Sequence, residues 1–246
     1  MTRQPTLSNA FTGFALFFPF FSALGYFVLW AGTENTQWLY SFSKVIQFSF
    51  PCMIWFSRGL TKKQVVGFAT DKTNFRFKPR DLRSALGAAA LFLVVGGTTY
   101  YSFLRPIIKS EYVKAAISQK LVEFGIATPM DYFYHTFFIA VIHSFLEEYY
   151  WRGFILTELK KKMKKVTAIL VASLTFTLHH IVIVNQYAKT EPKFFLVFLG
   201  SFAVFCCGVV WSIQYTTSKR LWVSWVSHIF ADLVVLWIGY DIIFLK

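Results

Sequence analysis

Apolar residues along the chain fall into blocks of roughly 20, the length at which a helix crosses a hydrocarbon layer about 30 Å thick. Charged or turn-forming residues bound seven such blocks, near Ala10 to Ala31, Trp38 to Phe56, Ser84 to Phe103, Asp131 to Leu156, Val166 to Tyr187, Phe194 to Tyr215 and Leu221 to Leu245. The pattern predicts an all-α fold, a polytopic membrane bundle of about seven (seven or eight) transmembrane helices. The second block is the weakest, because Lys44, Gln47 and Pro51 interrupt it, and it is expected to be kinked or partly buried inside the bundle. The first is too long, and too poor in small residues at its end, for a cleaved signal peptide, so it reads as an anchor. Between the third and fourth blocks, Glu111 to Ile126 alternates Lys and Glu with Val, Ala, Ile and Leu at helical spacing. That segment is expected to lie as an amphipathic helix on the membrane surface. The chain divides accordingly into residues 1–130, with the first helices, a basic loop and the amphipathic connector, and residues 131–246, a second helical core.

Composition strengthens this picture. Hydrophobic residues make up 56% of the chain and charged residues 15%, with 30 Phe, whereas soluble domains carry about 25% charged residues. A soluble enzyme and a disordered chain are both excluded. Cys206 and Cys207 sit side by side in an apolar block and offer neither a disulfide framework nor a metal-binding spacing.

A net charge of +13 raises the question of nucleic acid, and the positions of the charges answer it. One set of alternate loops holds Arg3, Arg58, Lys62, Lys63, Lys72, Arg76, Lys78, Arg80, Arg83, Lys160, Lys161, Lys162, Lys164, Lys165, Lys219 and Arg220. The other holds only Arg105, Lys109, Lys114, Lys120, Lys189, Lys193 and Lys246. The positive-inside rule then predicts a cytoplasmic N-terminus and an external C-terminus in an integral membrane protein. No basic domain with interleaved aromatics stands clear of the membrane, so nucleic acid is not an expected partner. The lipid bilayer is, with Lys160 to Lys165 suited to anionic headgroups.

Ionisable residues inside the blocks are the next signal. A charge at the bilayer centre costs roughly 3 kcal/mol and usually marks a site when it is retained. The fourth block carries His143, Glu147, Glu148 and Arg152, the fifth His179 and His180, and the seventh His228 and Asp232. At 1.5 Å per residue, Glu147 lies roughly 15 Å from the cytoplasmic end, His180 roughly 21 Å, Asp232 roughly 16 Å and His228 roughly 10 Å, so one cavity can hold them all.

Spacing assigns roles. Glu148 and Arg152, four apart, suit an ion pair on one helix face. Glu147 lies about 100° around the helix and remains the free carboxylate. His143 precedes it by four residues and can orient it or bond to another helix. His228 and Asp232 are again four apart, so Asp232 can fix the imidazole tautomer or both can point into the cavity. A carboxylate beside a histidine can take a proton from water, and a second histidine can donate to a developing oxyanion. No serine nucleophile setting and no H-E-x-x-H is present, so the expected chemistry is hydrolysis by activated water.

Glu147-Glu148-x-x-x-Arg152, then Phe176-x-x-x-His180, then His228-x-x-x-Asp232, resembles the three motifs of the CPBP family of CAAX proteases and bacteriocin-processing enzymes, which includes the type II CAAX prenyl endopeptidases. The resemblance covers roughly Tyr132 to Val235. It implies an intramembrane endopeptidase in which Glu147 and His180 activate water while His228 and Asp232 stabilise the oxyanion, with Glu148, Arg152 and His143 in support. The substrate would be a peptide or membrane protein. Asp232 stands where prenyl proteases more often carry Asn, and Asp is common among prokaryotic relatives, which points away from prenylated substrates and toward a prokaryotic plasma membrane.

Two matters stay open in the sequence. No cofactor is favoured, but zinc is an alternative, with Glu147, His180 and His228 as ligands by type. A non-catalytic bacteriocin-immunity or scaffold protein on the same fold is the alternative to a protease, whereas a proton-coupled transporter would predict internal repeats that the halves do not show.

Overall fold

The computed structural model describes residues 7–33, 36–59 and 77–245, and these are helical apart from short connections, with no strand among them. Helix α1 (Asn9–Leu24) runs on through a π turn at Gly25–Leu29. It is followed by α2 (Thr36–Ser57), α3 (Pro79–Ile108, with a π turn at Tyr100–Leu104) and the short α4 (Glu111–Glu123). Helix α5 is continuous over 129–162 but alternates between α and π geometry. The bundle is completed by α6 (Lys165–Tyr187), α7 (Lys193–Ser218) and α8 (Leu221–Phe244).

All seven apolar blocks fall on helices, with Ala10 to Ala31 and Leu221 to Leu245 running one or two residues past a helix end. Five of these helices among the described residues, α1, α3, α6, α7 and α8, are long and apolar enough to cross a membrane. The other two fall short because of what they carry: Lys44 and Gln47 in α2, and Glu147, Glu148 and Arg152 in α5. Helix α2 runs through Pro51 without interruption and buries Gln47, Pro51 and Trp55, so its polar residues are absorbed by the bundle. Of the basic positions counted from the sequence, Arg3, Lys62, Lys63, Lys72, Arg76 and Lys246 lie outside the described residues.

Local chemistry sets the helix ends. Helix α5 begins at Pro129, two residues ahead of the apolar block, because Thr128 and Asp131 form a capping box. The Asp131 amide donates to Thr128 Oγ1 at 3.2 Å and the Thr128 amide donates to Asp131 Oδ2 at 2.9 Å. Helix α4 starts at a Ser110 cap, and the chain leaves it through Gly125 at φ +70°, a left-handed conformation that glycine adopts without cost. The buried Lys120 of α4 lies over the Tyr26 ring at 4.6 Å and pairs with Glu123 at 2.6 Å, which ties α4 to the end of α1.

Ion pairs fix which helix ends share a face. Glu158, near the end of α5, takes two hydrogen bonds from Arg58 past the end of α2, at 2.9 and 3.2 Å, and one from the Leu7 amide before α1, at 3.3 Å. Arg220 before α8 meets Asp81 in the first turn of α3 at 2.5 Å, while Arg105 in the last turns of α3 meets Asp241 of α8 at 2.9 Å. Helices α3 and α8 are therefore parallel, and the basic connections lie together at one end of the bundle.

The bundle is inverted relative to a soluble protein. Large apolar residues face outward, among them Phe21, Phe42, Phe103, Phe137, Phe198 and Val235, and Glu147, Glu148, Arg152, His179 and His228 are buried. Contiguous outward apolar surface on this scale is what a lipid environment accepts and water does not.

Candidate active site

The middle of α5 sets the position of two carboxylates. Ser144–Glu148 is a single α-helical stretch between π turns at Phe138–His143 and Tyr149–Leu156. Each π turn takes up an extra residue and rotates the side chains beyond it, a distortion that recurs at functional sites. Glu147 and Glu148 are 4% and 0% exposed.

Glu148 pairs through one of its oxygens, while its Oε2 is buried without a hydrogen-bond partner. Its Oε1 accepts Nη1 of Arg152 at 2.9 Å, as the four-residue spacing predicts, and also Nδ1 of His228 at 2.8 Å. Arg152 in turn donates to the Gly208 carbonyl of α7 at 3.3 Å and lies over the rings of Phe176 at 4.8 Å and Trp211 at 5.0 Å. Helix α7 can come this close because a Cβ on Gly208 would already sit 3.3 Å from Ser173 of α6.

Glu147 faces a different set. Its Oε1 lies 3.4 Å from Nε2 of His143 and 3.6 Å from Nε2 of His179, and its Oε2 lies 3.7 Å from Nε2 of His228. These separations exceed direct hydrogen-bond lengths and leave the carboxylate surrounded by imidazoles without being consumed by any of them.

His180 donates from Nδ1 to the Phe176 carbonyl one turn earlier, at 3.0 Å, which leaves Nε2 of the neutral ring as a lone pair. Asp232 lies 3.6 Å from Nε2 of His228 and is partly open, with 24% of its side chain exposed. The tautomer of His228 is therefore set by Glu148, which holds Nδ1, and not by Asp232 as the spacing within α8 had allowed. Phe176 fills the centre, with its ring 4.5 Å from that of His180 and 5.3 Å from that of His179, and Trp211 stacks on His228 at 3.8 Å.

The structure thus brings together every residue given a role from the sequence, namely His143, Glu147, Glu148, Arg152, His180, His228 and Asp232, with His179, an ionisable residue of the fifth block to which spacing assigned no role. His179 is 1% exposed, stacks nearly parallel to Trp151 at 5.9 Å, and has no hydrogen-bond partner for either ring nitrogen. Its signal in the sequence is an imidazole retained inside an apolar block, beside His180. Donor atoms of Glu147, His179 and His180 lie within 4.8 Å of one another and could converge on a metal ion, a set that contains His179 in place of the His228 expected from residue type.

Residues 129–234 match the family model described as type II CAAX prenyl endopeptidase Rce1-like. The chain matches none of the curated proteins and no solved structure. The matched stretch contains all three motifs and every member of the buried cluster. Residues 129–234 are accordingly similar to the Rce1-like family of type II CAAX prenyl endopeptidases, which supports a reading of the chain as an intramembrane protease.

Proposed function

We propose that the protein hydrolyses a peptide bond of a membrane-associated peptide or protein, using water activated by Glu147 and His180. The observation that carries this reading is the arrangement around Glu147: a buried carboxylate 3.4 to 3.7 Å from three imidazoles on three elements, each contact too long to be a direct bond and suited to a shared small molecule. Water held between Glu147 and the Nε2 lone pair of His180 gives up a proton to the carboxylate as it attacks the carbonyl carbon. The proton then passes from Glu147 to the leaving amine. The oxyanion is stabilised by Nε2 of His228, which can donate there only if the ring carries both protons, because Nδ1–H is already given to Glu148. Asp232 and Glu148 lie on either side of that ring and stabilise its charge. The basic loops face the cytoplasm in this reading.

The experiment is to compare small membrane peptides in cells that hold wild-type protein, Glu147→Gln or Glu147→Ala at equal abundance. Loss of a processed species in both variants is expected, with a decrease of at least roughly 10³-fold in rate. Identical peptide profiles in all three strains would instead favour an immunity or scaffold role.

A metal-dependent form of the same reaction is the second reading, supported by the convergence of Glu147, His179 and His180 and by the orphaned nitrogens of His179. The donor types suit zinc, which when bound would make water more acidic and polarise the carbonyl. Stoichiometric metal in purified protein, with activity abolished by a chelator and restored by zinc, would favour this form over a carboxylate acting alone.

A further inference from the structure

Helix α8 makes polar contacts with α5 on both sides of Glu147 in the sequence. After it, His228 holds Glu148 at 2.8 Å. Before it, the indole Nε1 of Trp225 donates to the Val141 carbonyl at 3.0 Å. Trp225 and His228 are three residues apart and share one face of α8. Val141 lies inside the π turn at Phe138–His143, and the half-buried Trp225 ring also packs edge-on against Phe145 at 5.2 Å.

The sequence of the turn loosens α geometry without fixing what replaces it. Ile139, Val141 and Ile142 are β-branched and weak helix formers. Ser144 turns its hydroxyl back onto the Ala140 carbonyl, a bond that bends helices. A widened turn takes carbonyls out of the regular ladder, and a side chain inserted there holds the distortion in place. Trp225 inserts from another helix, so the shape of the turn is tied to the position of α8.

Glu147 depends on that shape. His143 is the last residue of the turn, and its imidazole lies 3.4 Å from Glu147 on the far side of the junction. Relaxation of the turn to α geometry would rotate the residues beyond it by about 100° relative to those before it. The bond from His228 to Glu148 opposes that rotation, so the displacement falls on the residues between the two contacts, Glu147 among them.

We infer that Trp225 is a positioning residue for Glu147: its N–H fixes the π turn and thereby sets the separation of the carboxylate from His143, His179 and His228. It acts through the backbone of α5 and not on the substrate. The consequence for turnover rests on the peptidase reading; the hold of Trp225 on the turn does not.

The test separates the N–H from the ring. Replacement of Trp225 by benzothienylalanine keeps the shape and apolar surface of the indole and removes the N–H, whereas Trp225→Phe removes the N–H and part of the surface. Amide hydrogen exchange across residues 138–148 is measured on full-length protein in phosphatidylcholine nanodiscs. With benzothienylalanine it is expected to rise about fivefold, the size of effect one lost hydrogen bond gives, while α6 and α7 exchange as in wild type. In cells holding equal amounts of each protein, the peptide species that accumulate with Glu147→Gln are followed in turn. Both replacements are expected to clear them at least about tenfold more slowly than wild type, as a small displacement of a reacting group does. A packing role alone predicts wild-type clearance with benzothienylalanine and a loss only with Trp225→Phe. That result overturns the inference, and so does unchanged exchange across residues 138–148. If no species accumulates with Glu147→Gln while exchange rises as expected, the peptidase reading falls and takes the effect on turnover with it, and the hold of Trp225 on the π turn stands.

Discussion

His228 gives its Nδ1 proton to Glu148 across 2.8 Å, between two helices that lie 80 residues apart in sequence. The same carboxylate oxygen also holds Arg152, so one buried charge sets the orientation of the imidazole and neutralises the guanidinium. Glu148 is 0% exposed, which leaves no water to substitute for either partner.

Replacement of Glu148 therefore separates positioning from stability. Glu148→Gln can keep the shared oxygen for both donors but removes the charge that favours a doubly protonated His228, and should lower the rate of processing roughly 10²-fold while the protein still folds. Glu148→Ala leaves Arg152 charged and buried alone, at a cost of about 3 to 5 kcal/mol, and should accumulate poorly. The pair Glu148→Leu with Arg152→Leu removes both charges and should regain most of the thermal stability but none of the activity. Melting temperatures and rates for the three variants check this; an active double variant would show that the ion pair has no part in placing His228.

His179 distinguishes the two forms of the reaction. A phenylalanine there retains the stack on Trp151 and removes both nitrogens. With water activated by Glu147 and His180, His179→Phe should lower the rate by only about tenfold, the lower end for a group one step removed from the chemistry, with no change in metal content. A drop of the size seen for Glu147→Gln, together with loss of bound zinc, would establish His179 as a ligand.

The apolar helices and the charged cluster were legible because membrane burial makes them so. Blocks of apolar residues have no other use at that length, and with only 12 acidic residues in the chain, Glu147, Glu148 and Asp232 stand out against an apolar background. Glu148 to Arg152 was legible because both ends of the pair lie on one helix. The contact from His228 to Glu148 was not, since it joins two helices 80 residues apart and depends on how α8 packs against α5. His179 was hidden for the same reason. Two adjacent histidines differ by about 100° in direction, and the sequence does not say that both turn inward around Phe176.

Close approach of α3 and α8 gives a packing prediction. A Cβ at Gly96 would lie 2.7 Å from Cγ1 of Val234, a branched and stiff side chain. Gly96→Ala should destabilise the protein by about 1 to 3 kcal/mol. Val234→Ala in the same molecule makes room, so the double variant should melt above Gly96→Ala alone. Additive losses in that cycle would mean that the two residues do not touch.

The clamp at the basic end of the bundle predicts a pH dependence. Burial of Glu158 raises its affinity for a proton, but hydrogen bonds from Arg58 and Lys161 outweigh this and hold the carboxyl below its ordinary value. A carboxylate whose pKa is lower in the folded than in the unfolded state stabilises the fold fully above the unfolded value. That contribution fades as the pH falls toward the folded one. The melting temperature of wild type should thus hold near neutrality and decline once the pH drops below about 5. Glu158→Gln should melt lower at pH 7, because Arg58, Lys161 and the Leu7 amide lose their anionic partner. Its curve should fall less steeply in acid and approach that of wild type there, as both then present a neutral side chain. Parallel curves, offset equally at pH 7 and pH 4, would mean that Glu158 is held by packing and that its charge contributes nothing.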